Sequence, residues 1–290
     1  MVTEGPLGWS ALTAARKLRL PVISEFHTNF HRYSGHYGVG WLKRPIAAYL
    51  RKFHNRADLT LVPTHALCGE LAEQGIARVD VVSRGVDTAL FDPARRSASL
   101  RRSWGLEEDD LAVVYVGRIA PEKNLALLEK AFDAIRARQP RARLILVGSG
   151  PAAQALQARQ PAAVFCGPRS GPFLAEHYAS GDLFLFPSLT ETYGNVVAEA
   201  LASGLPVVAY RDAAARELIE HQVHGWLAEP GDEAAFVAGA VALAEAPELR
   251  SRQRLAARER VASLAWQAIV ERLVTLQRQV ILSSPVTARR

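Results

Sequence analysis

Glu191 and Glu199 bracket the run Thr192-Tyr193-Gly194-Asn195, which follows directly on Pro187-Ser188-Leu189-Thr190. The apolar stretch 183–186 precedes this run and a helical pattern follows it, so it falls at the carboxyl end of a strand, where open α/β sheets bind ligands. Gly194 lets the backbone come close to a ligand. The amides that open the helix at Asn195 carry the positive end of the helix dipole, which suits a phosphate. Glu199 lies one turn after Asn195 on the same face. Phosphates repel carboxylates, so recognition of hydroxyl groups is the role that fits both acids. Ordinary acidic decoration of a helix start is the bland alternative.

A second constellation is Gly117-Arg118-Ile119-Ala120-Pro121-Glu122-Lys123-Asn124, after the apolar run 112–116. It too begins at a strand's carboxyl end, so Arg118 and Lys123 can face the phosphate position of Gly194 and Asn195. Two cations there can neutralise a diphosphate leaving group, a task that a bound metal performs elsewhere. No Asp-x-Asp pair accompanies them, and no metal cofactor is expected. The alternative is two solvated surface cations. His27, His31 and His36 lack a carboxylate partner and helical ligand spacing, which argues against a metal centre. Gly148-Ser149-Gly150-Pro151-Ala152-Ala153 imitates a dinucleotide fingerprint. The next strand ends in Cys166-Gly167, without the acid that a nicotinamide cofactor's ribose needs, so an oxidoreductase is only a minor rival.

Both loops need a scaffold that delivers them to one sheet edge. Short apolar runs alternate with helical patterns almost end to end, as in βαβ units with a parallel sheet covered on both faces. Strands are expected over 21–26, 59–62 and 79–82, with helices over 7–18, 42–53 and 67–74. The stretch 92–110 holds Arg95, Arg96, Arg101 and Arg102 beside Ser97, Ser99 and an acidic run; it reads as an inter-domain linker. A second series follows, with strands over 112–116, 144–147, 164–166, 183–186 and 207–209 and helices over 125–138, 152–159, 173–179, 195–202 and 213–220. Helices over 232–245, 248–261 and 266–280 close the chain. The fold class is therefore α/β with two doubly wound, Rossmann-like domains. They are assigned to 1–100, with the linker, and to 101–265, while the helix in 266–290 packs back towards the first domain.

The 290 residues are 49% hydrophobic and 22% charged, enough for two globular cores and unlike a disordered chain. A formal net charge of +6 favours anionic partners, and the two motifs select phosphorylated small molecules over nucleic acid. Cys68 and Cys166 fit neither a disulfide framework nor a zinc site, so a reducing cytoplasm suits the chain. No apolar run approaches the roughly 18 residues of a membrane span. Trp41, Leu42, Ile46, Tyr49, Leu50 and Phe53 form an apolar stripe rimmed by Lys43, Arg44, Arg51, Lys52 and Arg56. Packing on its own sheet is the favoured reading; a basic amphipathic helix also suits the inner face of an anionic membrane.

The two donor-side motifs resemble the hallmarks of the family 4 retaining glycosyltransferases, the second being the E-x7-E element. Glu4-Gly5-Pro6-Leu7-Gly8, Phe26-His27-Thr28-Asn29-Phe30, Ala57-Asp58-Leu59-Thr60-Leu61-Val62-Pro63 and Arg84-Gly85-Val86-Asp87 also look familial, closest to lipid mannosyltransferases and sulfoquinovosyl-diacylglycerol synthases. The resemblance implies a GT-B fold and a nucleotide diphosphate sugar as co-substrate. It implies that Arg118 and Lys123 contact the donor diphosphate, that Gly194 and Asn195 add backbone contacts, and that Gly117, Thr192 and Tyr193 belong to the same binding set. Glu199 would hold the ribose hydroxyls. Glu191 would bind the transferred sugar near its anomeric carbon, with His27 reaching that sugar from the first domain. The expected reaction is a retaining, metal-independent transfer of a hexose, with GDP-mannose as donor and a lipid or glycolipid as acceptor. A UDP-sugar-dependent transferase with a saccharide acceptor is the alternative, as is a donor-binding protein without activity. Met1-Val2-Thr3-Glu4-Gly5-Pro6 resembles the middle of an acceptor domain, so a shortened N-terminal domain, from a fragment or a misassigned start, is a further expectation.

Overall fold

The computed structural model describes residues 3–26, 43–189 and 191–283, and the chain divides into two compact units, 1–85 with 266–290 and 86–265. In the first unit, α1 (Pro6–Lys17), β1 (Ile23–Glu25), α2 (Lys43–His54), β2 (Leu59–Val62), α3 (His65–Glu73) and β3 (Val79–Val81) follow in chain order. Among the described residues they form a three-stranded sheet, β1-β2-β3, parallel throughout. Ile46, Leu50 and Phe53 of α2 turn inwards against apolar clusters that include Phe26, Val62 and Leu12, while Arg44, Arg51 and Lys52 stay exposed. The apolar stripe is thus spent on the unit's own core; Trp41 and Leu42 lie outside the described residues. A buried polar cluster is paired here, with Ser24 Oγ 3.0 Å from both His54 Nδ1 and Thr60 Oγ1.

The second unit holds β4 (Ala112–Val116), α5 (Leu125–Arg138), β5 (Arg143–Val147), α6 (Ala153–Arg159), β6 (Val164–Gly167), α7 (Gly171–Ala179) and β7 (Leu183–Phe186), preceded by a short α4 (Ala98–Ser103). It continues through α8 (Asn195–Ala202), β8 (Val207–Tyr210), α9 (Ala213–Leu218), β9 (Gly225–Ala228), α10 (Glu233–Glu245) and α11 (Pro247–Val261). The strands form one parallel sheet in the order β6-β5-β4-β7-β8-β9. Side chains alternate between two cores: Val114, Val116, Phe184 and Phe186 enter one, and Val113, Tyr115, Leu183 and Leu185 the other. That is the pattern of a sheet buried on both faces, and it makes these strands near-continuous apolar runs. The final helix, α12 (Trp266–Ser283), groups with the first unit, where Arg272 pairs with Asp80 at 2.9 Å. Among the described residues no helix is long and apolar enough to cross a membrane.

The stretch 92–110 differs from the linker expected. It belongs to the second unit, and its charges are the reason. Arg101, only 3% exposed, donates to Asp182 Oδ2 at 2.9 Å and to the carbonyls of Ser180, Glu107, Glu108 and Asp110. Arg96 takes the other Asp182 oxygen at 2.9 Å, and Ala112 N–H donates to Oδ2 at 2.8 Å. A polar composition that suggests solvent is therefore an internal brace. The unit begins at Val86, whose N–H bonds to Leu264 O at 3.0 Å. The edge strand β9 also departs from the reading, because its apolar run, Trp226-Leu227-Ala228, is only three residues long between polar turns and opens on a glycine.

Candidate active site

Loops from the carboxyl ends of β4, β5 and β7 build the site. Gly117 N–H donates to Val147 O at 3.0 Å, Ile119 N–H to Ser149 O at 2.9 Å, and Ala152 N–H to Ile119 O at 3.0 Å, so the first two loops are stitched together by main chain. A Cβ on Gly148 would stand 1.9 Å from Gly117 O, which excludes any side chain there. The glycine pair that imitates a dinucleotide fingerprint thus serves a close approach of two backbones. Tyr115 adds a third tie, its buried hydroxyl donating to Arg118 O at 2.9 Å. Burial foremost, then the charges of Glu191 and Glu122, pushes that phenol's pKa well up and keeps it a neutral donor.

After Ile119 a single 3-10 turn, Pro121–Lys123, ends on Asn124, which adopts the left-handed conformation at φ 53° and ψ 48°. Asn tolerates that conformation better than most residues, and its side-chain amide donates to Pro187 O at 3.3 Å. This link joins the β4 loop to the β7 loop. Lys123 Nζ pairs with Glu191 Oε1, and Ser188, itself 5% exposed, donates to the same oxygen at 2.8 Å. Lys123 and Glu191 are each 16% exposed, reachable but largely shielded. Arg118 is 61% exposed and pairs with Glu122 at 2.9 Å.

Gly194 caps α8 at φ 89° and ψ 67°, a region costly for residues with a Cβ, and this aims the helix start. Asn195 is exposed at that start, and no side chain caps it. Thr192 is half-buried beside it. The Tyr193 ring lies in the apolar core at 4% exposure, so packing occupies the side chain that the motif offers to a ligand. Glu199 follows one turn into α8 and accepts from the Tyr178 hydroxyl at 2.9 Å. Burial raises its carboxyl above the ordinary pKa, and the Tyr178 bond pulls the other way. Gly117, Arg118, Lys123, Thr192, Gly194, Asn195, Glu191 and Glu199 thus all belong to the strand-end loops and helix start of this unit. His27, His31, His36 and Thr190 lie outside the described residues.

Sequence reasoning gave no role to Tyr115, Tyr178 or Ser188, which hold Arg118, Glu199 and Glu191. Only Ser188 carried a local signal, three residues before the acid it holds. Among the described residues no cluster of three His, Cys, Asp or Glu side chains could hold a metal ion. The first unit has a cavity of about 140 Å³ at the carboxyl ends of its strands, lined by Phe26, Leu61, Pro63, Ser83, Arg84 and Trp266.

Two Rossmann-like α/β units, one with paired cations and carboxylates at its strand ends, define a GT-B-type fold. Solved structures share it: sucrose-phosphate synthase from Thermosynechococcus elongatus has a TM-score of 0.81 at 22% identity, over 96% of this chain and 72% of that one. Anabaena HepE in complex with UDP-glucose has a TM-score of 0.78 at 21% identity, over 96% and 77%. The family model described as glycosyl transferases group 1 matches residues 110–246, and Glycosyltransferase Family 4 matches residues 2–90. A GDP-mannose-dependent alpha-mannosyltransferase of Mycobacterium tuberculosis is 38% identical over 270 residues, covering 92% of this chain and 69% of the relative. The sulfoquinovosyl transferase SQD2 of Arabidopsis thaliana is 35% identical over 281 residues, covering 93% and 54%, so the chain spans about half of that relative. The chain belongs to family 4 of the glycosyltransferases, enzymes that take their sugar from a nucleotide donor.

Proposed function

We propose that this chain transfers a hexose, with retention and without a metal, from a nucleoside diphosphate sugar to a lipid or glycolipid hydroxyl. The observation that carries the reading is the meeting of Lys123 with Glu191 beside the glycine-capped start of α8. Lysine has three N–H donors, so Lys123 can keep Glu191 and still bond a phosphate oxygen. With Arg118 and the first amides of α8 it would stabilise the departing diphosphate. Glu199 would accept from the ribose hydroxyls. Glu191, held by Ser188 and Lys123 through Oε1, would keep Oε2 for the transferred sugar near its anomeric carbon. His27, which lies outside the described residues, is the further residue proposed to contact that sugar.

Two donors have support. GDP-mannose is the donor in the names of three relatives at 34–38% identity, all GDP-mannose-dependent alpha-mannosyltransferases. A UDP-sugar with a saccharide acceptor is the other reading and has the broader structural support, since UDP is bound to three proteins of this fold, TarM, HepE and the pneumococcal GtfA. Peripheral contact with an anionic membrane through the basic face of α2 would bring the protein to the surface that holds a lipid acceptor. Calorimetric titration with GDP and UDP, followed by transfer assays with GDP-mannose and UDP-glucose in excess chelator, tests the proposal. Tight binding of one nucleotide and chelator-resistant transfer are expected. Loss of transfer in chelator, restored by Mg²⁺ or Mn²⁺, would contradict the assignment of leaving-group charge to Arg118 and Lys123.

A further inference from the structure

Glu199 is held from behind. Tyr178, near the end of α7, is fully buried, and its hydroxyl donates to Glu199 Oε2 at 2.9 Å. The ring is wedged between Phe91 and Phe184, with centroids 5.8 and 5.7 Å away, so the hydroxyl has little freedom to swing. Several other polar groups around α8 bond elsewhere. Tyr115 of β4 bonds the Arg118 carbonyl, and His177 of α7 has Nδ1 2.7 Å from Phe173 O. On α11, Arg254 reaches Gly181 O, Arg260 reaches the carbonyls of Glu217 and Leu218 on α9, and Arg258 bonds Ala202 O at the far end of α8. Arg216 of α9 is exposed, and Glu191 accepts from Lys123 and Ser188.

We propose that Tyr178 is a positioning residue of the nucleotide site, whose hydroxyl fixes the Glu199 carboxylate through Oε2 and leaves Oε1 to accept from the vicinal hydroxyls of the ribose. This rests on the reading that Glu199 binds ribose. The bond has an electrostatic consequence. Burial favours the neutral carboxyl, whereas donation from Tyr178 favours the carboxylate, the better acceptor. Removing the hydroxyl raises the pKa of Glu199 further. The deficit therefore has a positional part that does not depend on pH and an electrostatic part that is added only when pH falls far enough to protonate Glu199.

The experiment compares wild type with Tyr178→Phe and Glu199→Gln by calorimetric binding of GDP and of UDP between about pH 6 and pH 9. Affinity ratios are read, so that titration of the ligand phosphate cancels. The wild-type to Tyr178→Phe ratio for the ribonucleotides should be roughly tenfold, the worth of one hydrogen bond to a charged group, and should not shrink as pH is lowered. With the 2′,3′-dideoxy nucleotides the ratio should stay near one at every pH. A ribonucleotide ratio near one, or a loss that persists with the dideoxy nucleotides, would make Tyr178 a packing residue and overturn the proposal. If Tyr178→Phe does not fold, Glu199→Gln decides. Its loss of affinity must be confined to the ribonucleotides, and an equal loss with the dideoxy nucleotides overturns the proposal. Glu199→Gln that binds every nucleotide as wild type does would instead remove the ribose reading itself.

Discussion

Lys123 and Glu191 form one ion pair, yet the proposal gives them different partners, and substitution separates the two roles. Lys123→Ala should weaken GDP or UDP binding by roughly 10- to 100-fold, as expected for a charge-assisted bond to phosphate. Binding of guanosine or uridine should change little. Calorimetry on all four ligands checks this, and equal losses for nucleotide and nucleoside would put Lys123 outside the phosphate site. Glu191→Ala should lower turnover by about 100-fold or more while the thermal midpoint moves only slightly, because the group it serves is the reacting sugar. A folded variant with full turnover would remove Glu191 from the chemistry. Both residues were legible because acid, glycine and cation stand at fixed offsets from strand ends. Tyr115 and Tyr178 were not: each reads as one more core aromatic until the fold brings its hydroxyl to a loop or carboxylate.

At the scale of elements, α4 is too short to stand by itself, and a buried arginine holds it. Arg101→Met would strip donors from Asp182 and four carbonyls and should cost about 3 kcal/mol, the order expected for breaking a buried pair from one side. Arg102, its exposed neighbour, should lose within about 0.5 kcal/mol on the same change. Urea unfolding of both variants measures the difference, and equal midpoints would mean that the brace is not needed. The two residues look alike in sequence. Their burial differs because Asp182, far along the chain, faces only one of them.

For the whole molecule, the net charge of +6 invites a strong anion-seeking surface, yet Arg96, Arg101, Arg254 and Arg258 spend their donors on internal carbonyls and carboxylates. The basic face of α2 remains exposed while its apolar face is buried, so any membrane contact made by this helix should be electrostatic. Vesicles containing phosphatidylglycerol should bind the chain weakly at low salt and release it at about 0.5 M salt, where the Debye length is only a few ångströms. Arg51→Glu with Lys52→Glu should abolish that binding. Salt-resistant sedimentation with vesicles would instead require apolar insertion, at odds with the inward packing of Ile46 and Leu50.

Periodicity and turn chemistry are local properties, which is why the strands of the second unit other than β9, the glycine-capped helix at Asn195 and the loop holding Arg118 and Lys123 could be located without coordinates. Strands buried on both faces are continuous apolar runs, and a left-handed helix cap needs a glycine; each writes itself into neighbouring residues. Long-range pairing leaves no such trace. That Lys123 meets Glu191, that Tyr178 holds Glu199, and that 92–110 is a brace rather than a linker depend on residues tens of positions apart. Only the tertiary structure could decide them, because the energy of a buried polar group is set by the partner that folding brings to it.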